Sequence, residues 1–343
     1  MTVPGSAAPG SAAHGVAEPV RTHQPLSRQW RAPYPVDVRA VLLVHRRGHG
    51  DPAFAIDQAG AIWRACRTPE GPGTLRVAWR PEPGTGNSAA VARPAVDRPG
   101  TVVSAAAWGD GADWLLASLP ALLGADDDPD SFAPAHPVLA GLARRRPGLR
   151  IGRSGLVLEA LVPAVLEQKV VGAEATRAWR RLLRRFGEPA PGPVPHGMWV
   201  PPSARTWAEV PAWEWHLAGV EAVRARTIVA AARVAARLEQ VAAMPPEAAD
   251  RRLRALPGVG PWTSAEVRQR ACGDADAVSV GDYHLPAQVG YALAGRPVDD
   301  AGMLELLALY PGHRHRAATL AAMSGSGPAR RGPRMAARDY RTF

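Results

Sequence analysis

Lysine is nearly absent from this 343-residue chain, in which Lys169 is the single one although Lys+Arg total 41. Chemistry that needs a lysine amine, such as Schiff-base formation, therefore has one candidate. Cysteine is almost as scarce. Cys66 and Cys272 stand far apart in sequence, which excludes a four-cysteine iron–sulfur cluster and a cysteine-type zinc site. Both read as small buried or neutral side chains in a reducing compartment. No segment is long and apolar enough to cross a membrane, and residues 1–30 lack the apolar centre of a signal peptide.

Arginine is abundant. The net charge of +10 favours a polyanionic partner through counterion release; a bland reading is that an Arg-, Ala- and Pro-rich chain reflects a GC-rich genome. Position says more than the sum. In Ala175–Phe186, Trp179, Leu182, Leu183 and Phe186 make an apolar stripe, with Arg177, Arg180, Arg181, Arg184 and Arg185 on the other side. Such a run is either a solvated face or a phosphate contact. The eleven tryptophans are mostly core candidates; Trp207, Trp213 and Trp215 could also line a pocket.

The length allows two or three domains. Residues 1–30, rich in Gly, Ala, Pro and His, read as a disordered tail. Over 31–110 the pattern suggests a small antiparallel sheet domain, with strands expected at Val36–Val44, Ala53–Ile56, Ile62–Cys66 and Leu75–Trp79 between Gly/Pro/Asn turns. Residues 111–324 read as a helical domain, with helices near 113–123, 137–144, 155–170, 173–186, 220–239, 247–256, 262–272, 283–294, 301–309 and 314–323. Pro163 is expected to kink or restart the third of these. Residues 325–343 read as a basic flexible tail. The fold class is mostly α, with an α+β part at the N-terminus.

Chemistry concentrates in residues 256–282. Leu256-Pro257-Gly258-Val259-Gly260-Pro261-Trp262-Thr263 joins two helices through a turn whose glycines permit backbone angles that other residues resist. Pro261 suits the first position of the second helix, whose free amides and dipole make a place for an anion such as phosphate. A glycine-rich hairpin can equally serve packing alone. After a brief apolar segment, Ala277–Val280, Gly281-Asp282 opens another helix. Asp is a preferred N-cap, so Asp282 reads either as a cap or as a carboxylate fixed at the rim of a cleft, and one residue can be both.

Three segments occur in order: Arg146–Arg150 leading into Leu158–Val170, then Leu217–Val220 through Arg224–Ile228, then the hairpin with Asp282. In these the chain resembles the helix-hairpin-helix (HhH-GPD) DNA glycosylases, most closely the bacterial 3-methyladenine DNA glycosylase II branch. The resemblance covers roughly residues 110–325 and implies a helical glycosylase domain behind a small sheet. It puts Asp282 at the catalytic aspartate and Trp262 in the base pocket, with Glu266 and Tyr283 beside it. Leu256, Pro257, Gly258, Val259, Gly260, Thr263, Gln168 and Lys169 then become the DNA contacts, Lys169 falling near the residue that wedges into the helical stack. Two departures touch the pocket. Glu266 stands where the branch's best-known member has an aromatic, and no tryptophan occurs near Pro311–Arg314.

The expected reaction is hydrolysis of the N-glycosidic bond of an alkylated purine of the 3-methyladenine or 7-methylguanine type. A carboxylate opposite the growing charge on the sugar favours the transition state and can orient or deprotonate water. Bifunctional relatives carry their Schiff-base lysine two residues past the second hairpin glycine, where this chain has Trp262, so a monofunctional enzyme without AP-lyase activity is expected. The expected partner is double-stranded DNA with damaged bases, bound by a monomer in a bacterial cytoplasm. No cofactor and no iron–sulfur cluster are expected; the resemblance allows a Na+ or K+ on hairpin backbone carbonyls. The alternatives are a non-catalytic DNA-binding module and a glycosylase for deaminated or oxidised bases.

Overall fold

A computed structural model describes residues 24–82, 99–195 and 197–327. The tails expected at 1–30 and 325–343 therefore lie mostly outside the described residues. The part of the first that is described corrects the expectation: Leu26–Ala32 is strand β1, paired antiparallel with Thr101–Trp108 (β5) in the register Leu26↔Ala107 to Ala32↔Thr101. Ser27, Arg28, Gln29 and Arg31 make most of it polar, as befits a charged sheet edge, and with only Trp30 and Ala32 turned to the core its apolar alternation is too short to announce it. Phe54–Ile56 (β2), Ile62–Thr68 (β3) and Gly71–Pro81 (β4) complete an antiparallel sheet in the order β1-β5-β4-β3-β2. The expected strand at Val36–Val44 is instead helix α1, Val38–Leu43. Asp37 Oδ1 caps it by accepting from Ala40 N at 2.9 Å, and Val38, Val41 and Leu42 make a helical apolar stripe that also fits a period-two reading.

Ala112–Leu122 (α2) lays Leu115, Leu119 and Leu122 against the sheet, sharing one core with α1. Pro137–Arg145 (α3) packs in a C-terminal core with three later helices. Val157–Leu166 (α4) is the central helix: nine of its ten residues are buried. It runs through Pro163 without restarting, because packing on all sides holds its axis. Both ends are clamped. Glu239 accepts from Val157 N (2.8 Å) and Leu158 N (2.9 Å), and Arg224 Nη1 donates to Leu166 O at 2.8 Å.

Gly172–Phe186 (α5) follows, then a two-residue strand pair, Glu188–Pro189 (β6) with Trp199–Val200 (β7), and two short helices, Ala204–Glu209 (α6) and Ala212–Leu217 (α7). These last four elements have no counterpart in the sequence expectation. Trp207 and Trp215 stack at 5.8 Å in the central core, while Trp213 is exposed. Ala222–Arg233 (α8) and Ala235–Glu239 (α9) lead into the hairpin helices, Pro246–Arg254 (α10) and Pro261–Val267 (α11), the latter continuing as a wider π turn over Arg268–Cys272. Leu285–Ala294 (α12), Asp300–Leu307 (α13) and Arg314–Met323 (α14) close the C-terminal core with α3. The sheet docks on α4 through Arg64–Glu159, 2.5 Å apart and both largely buried. Among the described residues no helix is long and apolar enough to cross a membrane.

Candidate active site

The turn between α10 and α11 is fixed from two sides. Gly258 has φ +87, and a Cβ there would lie 2.1 Å from Thr227 Oγ1, so both conformation and space require glycine. The Thr227 hydroxyl, on α8, sits 3.1 Å from Pro257 O and 3.2 Å from Val223 O. From the end of α4, Gln168 Nε2 donates to Gly258 O (2.9 Å) and Thr263 Oγ1 (2.8 Å). Gln168 thus joins the hairpin to the turn that carries Lys169. Gly260 differs from Gly258: its φ is −97, and a Cβ there would meet nothing within 4 Å. Pro257 and Gly258 are exposed, whereas Val259 and Thr263 are buried and Leu256 is half-buried against the core. What this turn offers a ligand is therefore backbone over an open face, not the side chains of Val259 or Thr263.

Lys169 is exposed and has φ +53, the only left-handed non-glycine backbone among the described residues. For a residue with a Cβ that conformation is uncommon and is held by its surroundings. Here the clamped end of α4 and the start of α5 set it.

Asp282 is a helix cap, and its second oxygen reaches the hairpin's second helix. Oδ1 accepts from His284 N (2.8 Å) and Leu285 N (2.9 Å), capping α12, and Oδ2 accepts from Trp262 Nε1 at 3.2 Å. No arginine, lysine or histidine side chain pairs with it among the described residues. Tyr283 stands beside it, 89 % exposed and edge-on to His284.

One turn beyond Trp262, Glu266 makes a second rung between α11 and the segment that carries Asp282. Its Oε1 accepts from Ser279 Oγ and its Oε2 from Arg270 Nη1, both at 2.7 Å. Gln269 Nε2 supports Ser279 Oγ at 2.9 Å and also Ala277 O at 2.8 Å. Arg270 Nε then reaches Val44 O (3.0 Å) in the loop after α1, bringing the sheet domain to the site. In that loop Arg47 stands 3.6 Å from Glu167. Burial, then Arg270, lower the Arg47 pKa, with Glu167, Glu266 and Asp51 opposing. His315 of α14 is half-buried beside Glu266 and Arg270, and desolvation pushes its pKa down to about 4. His45 is likewise held neutral, by burial first and then by Arg64, Arg47 and Arg270. Sequence reasoning found neither Arg47 nor Glu167, since nothing local links a loop after the first helix to the end of α4.

Among the described residues no group of three or more His, Cys, Asp or Glu gathers to hold a metal ion. Leu256 O, Pro257 O and Gly258 O each accept a protein hydrogen bond, from Val259 N, Thr227 and Gln168. A monovalent cation at the hairpin would share their second lone pairs.

A glycine hairpin between two helices, an aspartate bonded to the second of them and an antiparallel sheet ahead of the helices in the chain make up this site, and the fold that carries them is shared with solved DNA glycosylases. Its fold matches a 3-methyladenine DNA glycosylase from Archaeoglobus fulgidus, with TM-score 0.65, 17 % identity, and 86 % of this chain and 97 % of that one covered. It also matches an 8-oxoguanine glycosylase/lyase from Clostridium acetobutylicum, with TM-score 0.61, 11 % identity, and coverage of 88 % and 97 %. In sequence the chain is 36 % identical over 172 residues to a probable bifunctional transcriptional activator/DNA repair enzyme AlkA of Mycobacterium tuberculosis. That match spans 48 % of this chain and 34 % of the relative, so about a third of the relative's length is represented. No protein-family model matches the chain.

Proposed function

We propose that this protein is a monofunctional DNA glycosylase that flips an alkylated purine out of duplex DNA and hydrolyses its N-glycosidic bond. The observation that carries the reading is the Asp282 carboxylate, fixed by two amides and the Trp262 indole and without a cationic partner among the described residues. As the bond to the base lengthens, positive charge grows on the sugar, and a preorganised uncompensated carboxylate lowers that barrier most. The oxygen that carries the indole is held more weakly than the doubly bonded one and is the better placed to orient water. Trp262 offers an electron-rich face to a cationic alkylated base, which is already a good leaving group and needs no strong acid. The hairpin and the Lys169 turn, joined by Gln168, would hold the backbone and fill the gap left by the flipped nucleotide.

Trp262 in place of a lysine amine, with Lys169 on another turn, supports hydrolysis without strand cleavage. The AlkA relative supports a role in DNA repair. Duplex DNA, a monomeric state and a place with the bacterial nucleoid belong to the same reading, as does a Na+ or K+ on the hairpin carbonyls.

The test measures released base and abasic sites separately on duplexes carrying 3-methyladenine, 7-methylguanine or hypoxanthine. Base release that disappears in Asp282→Asn while DNA binding persists supports the proposal. Binding without release from any lesion favours a non-catalytic module, and nicking without added alkali contradicts the monofunctional claim.

A further inference from the structure

Arg47 and Glu167 form a loosely held ion pair. Arg64–Glu159 and Arg268–Asp274 meet at 2.5 Å, whereas Arg47 Nη1 stands 3.6 Å from Glu167 Oε1, outside hydrogen-bonding length. Neither side chain has another hydrogen-bonded partner among the described residues. The Arg47 side chain is nevertheless only 9 % exposed and that of Glu167 32 %. A guanidinium carries five donors, and those of Arg47 meet no hydrogen-bond acceptor among the described residues.

The position of the pair tells what could match it. Asp51 Oδ2 accepts from Arg47 N at 2.7 Å, fixing where this side chain starts. Glu167 directly precedes Gln168, which is bonded to Gly258 and Thr263 of the hairpin. From the other side, Arg270 of the α11 extension holds Val44 of the Arg47 loop. The pair therefore lies where the sheet-domain loop, the end of α4 and the helix bearing Trp262 converge.

We propose that Arg47 and Glu167 read the edge of the flipped base, Arg47 donating to a ring carbonyl and Glu167 accepting from the neighbouring N–H. The proposal rests on the glycosylase reading above. Arg47 is the deeper group with the larger unmet demand, so the strongest acceptor of the base belongs to it. A purine with a C6 carbonyl beside N1–H presents that order, and arginine is the usual partner of the guanine carbonyl. An adenine-type base presents an amino donor to the guanidinium and a bare ring nitrogen to the carboxylate, two mismatches at once. The selected class is thus guanine-type lesions, among them 7-methylguanine and hypoxanthine, over 3-methyladenine.

The experiment is single-turnover base release by the full chain, by Arg47→Gln and by Glu167→Gln, on duplexes carrying 7-methylguanine, hypoxanthine or 3-methyladenine. The measure is how each variant changes the ratio of guanine-type to 3-methyladenine release. That change cancels the intrinsic lability of each lesion, and 3-methyladenine release reports folding of the variant. Expected is a fall of roughly ten- to a hundredfold in the ratio for each variant, the scale of one well-made base contact. Glu167, being the more exposed, keeps the test open if Arg47→Gln does not fold. An unchanged ratio, or equal loss on all three lesions, overturns the proposal while leaving the glycosylase reading intact. No release of any lesion by the unsubstituted chain removes both.

Discussion

Asp127 and Asp282 are both carboxylates that accept backbone amides, yet they keep opposite company. Asp127 accepts from Ile151 N at 2.9 Å and from the guanidinium of Arg316, and both members of that pair are 3 % exposed. Asp276 is likewise gripped by Arg314, and Glu159 by Arg64. Asp282 has amides and an indole, and no cation among the described residues. Asp127, Asp276 and Glu159 are each paired with a guanidinium, whereas Asp282, like the helix-capping Glu239 and Asp37, is held by neutral donors among the described residues. On the proposed reading, the difference leaves the Asp282 charge uncompensated and available to a developing positive charge, while that of Asp127 is spent on Arg316.

The largest expected effect breaks the hairpin side. Asp282→Asn keeps an oxygen for the α12 cap but removes the charge. Single-turnover base release is expected to fall by roughly 10³–10⁴, the combined scale of electrostatic and general-base contributions, with the thermal midpoint nearly unchanged. A large drop in midpoint would mean that Asp282 belongs with Asp127 after all.

The converse substitution breaks the structural side. Arg316→Met leaves Asp127 buried without its cation, which should destabilise by about 3–5 kcal/mol in urea unfolding. Release measured below the new midpoint should remain close to that of the unsubstituted protein. A catalytic loss at full folding would show that the two regions are not separable.

Within the hairpin, the two glycines sharpen the same contrast at smaller scale. Gly258→Ala meets Thr227 Oγ1 and a left-handed backbone, so a loss of about 1–3 kcal/mol is expected. Gly260→Ala has a permissive φ and open space, so the fold should be unaffected. Its new methyl stands on the face where DNA backbone would approach, and a weaker affinity for undamaged duplex, by fluorescence anisotropy, is the expected result. Unchanged affinity in the Gly260 variant would count against the hairpin as a clamp.

The hairpin and Asp282 were legible in the sequence because their signals are local: glycines at a turn, proline at the first helical position, aspartate before a helix. Helices α2 to α5 and α8 to α14 were legible for a related reason, since long apolar periodicities survive tertiary context. Strand β1 was not, because an exposed edge strand takes its conformation from pairing with β5. Helix α1 was read as a strand because Val36–Val44 fits both periods and only the Asp37 cap decides. Of the candidate site, Trp262 next to Asp282 and Gln168 next to the hairpin could be expected from the resemblance. The engagement of Glu266 by Ser279 and Arg270, and the approach of Arg47 to Glu167, are products of three chain segments meeting, and no spacing encodes them.

The seam between the two regions supplies the smallest and most graded prediction. Desolvation lowers the His315 pKa from an ordinary value near 6.5 to about 4, with Arg270 and Arg316 lowering it further and Glu266 opposing. The unfolded chain therefore takes up the His315 proton first as pH falls, so stability is lost progressively from about pH 6.5 down to about pH 4 and levels off below. One pKa unit corresponds to about 1.36 kcal/mol; with partial exposure the expected loss is on the order of 1–2 kcal/mol. His45, also held neutral by burial, acts in the same direction. Urea midpoints between pH 7 and 4 should thus slope less steeply in His315→Gln than in the unsubstituted protein. An identical slope would show that His315 protonates without strain, and that the polar seam tolerates charge as readily as the surface does.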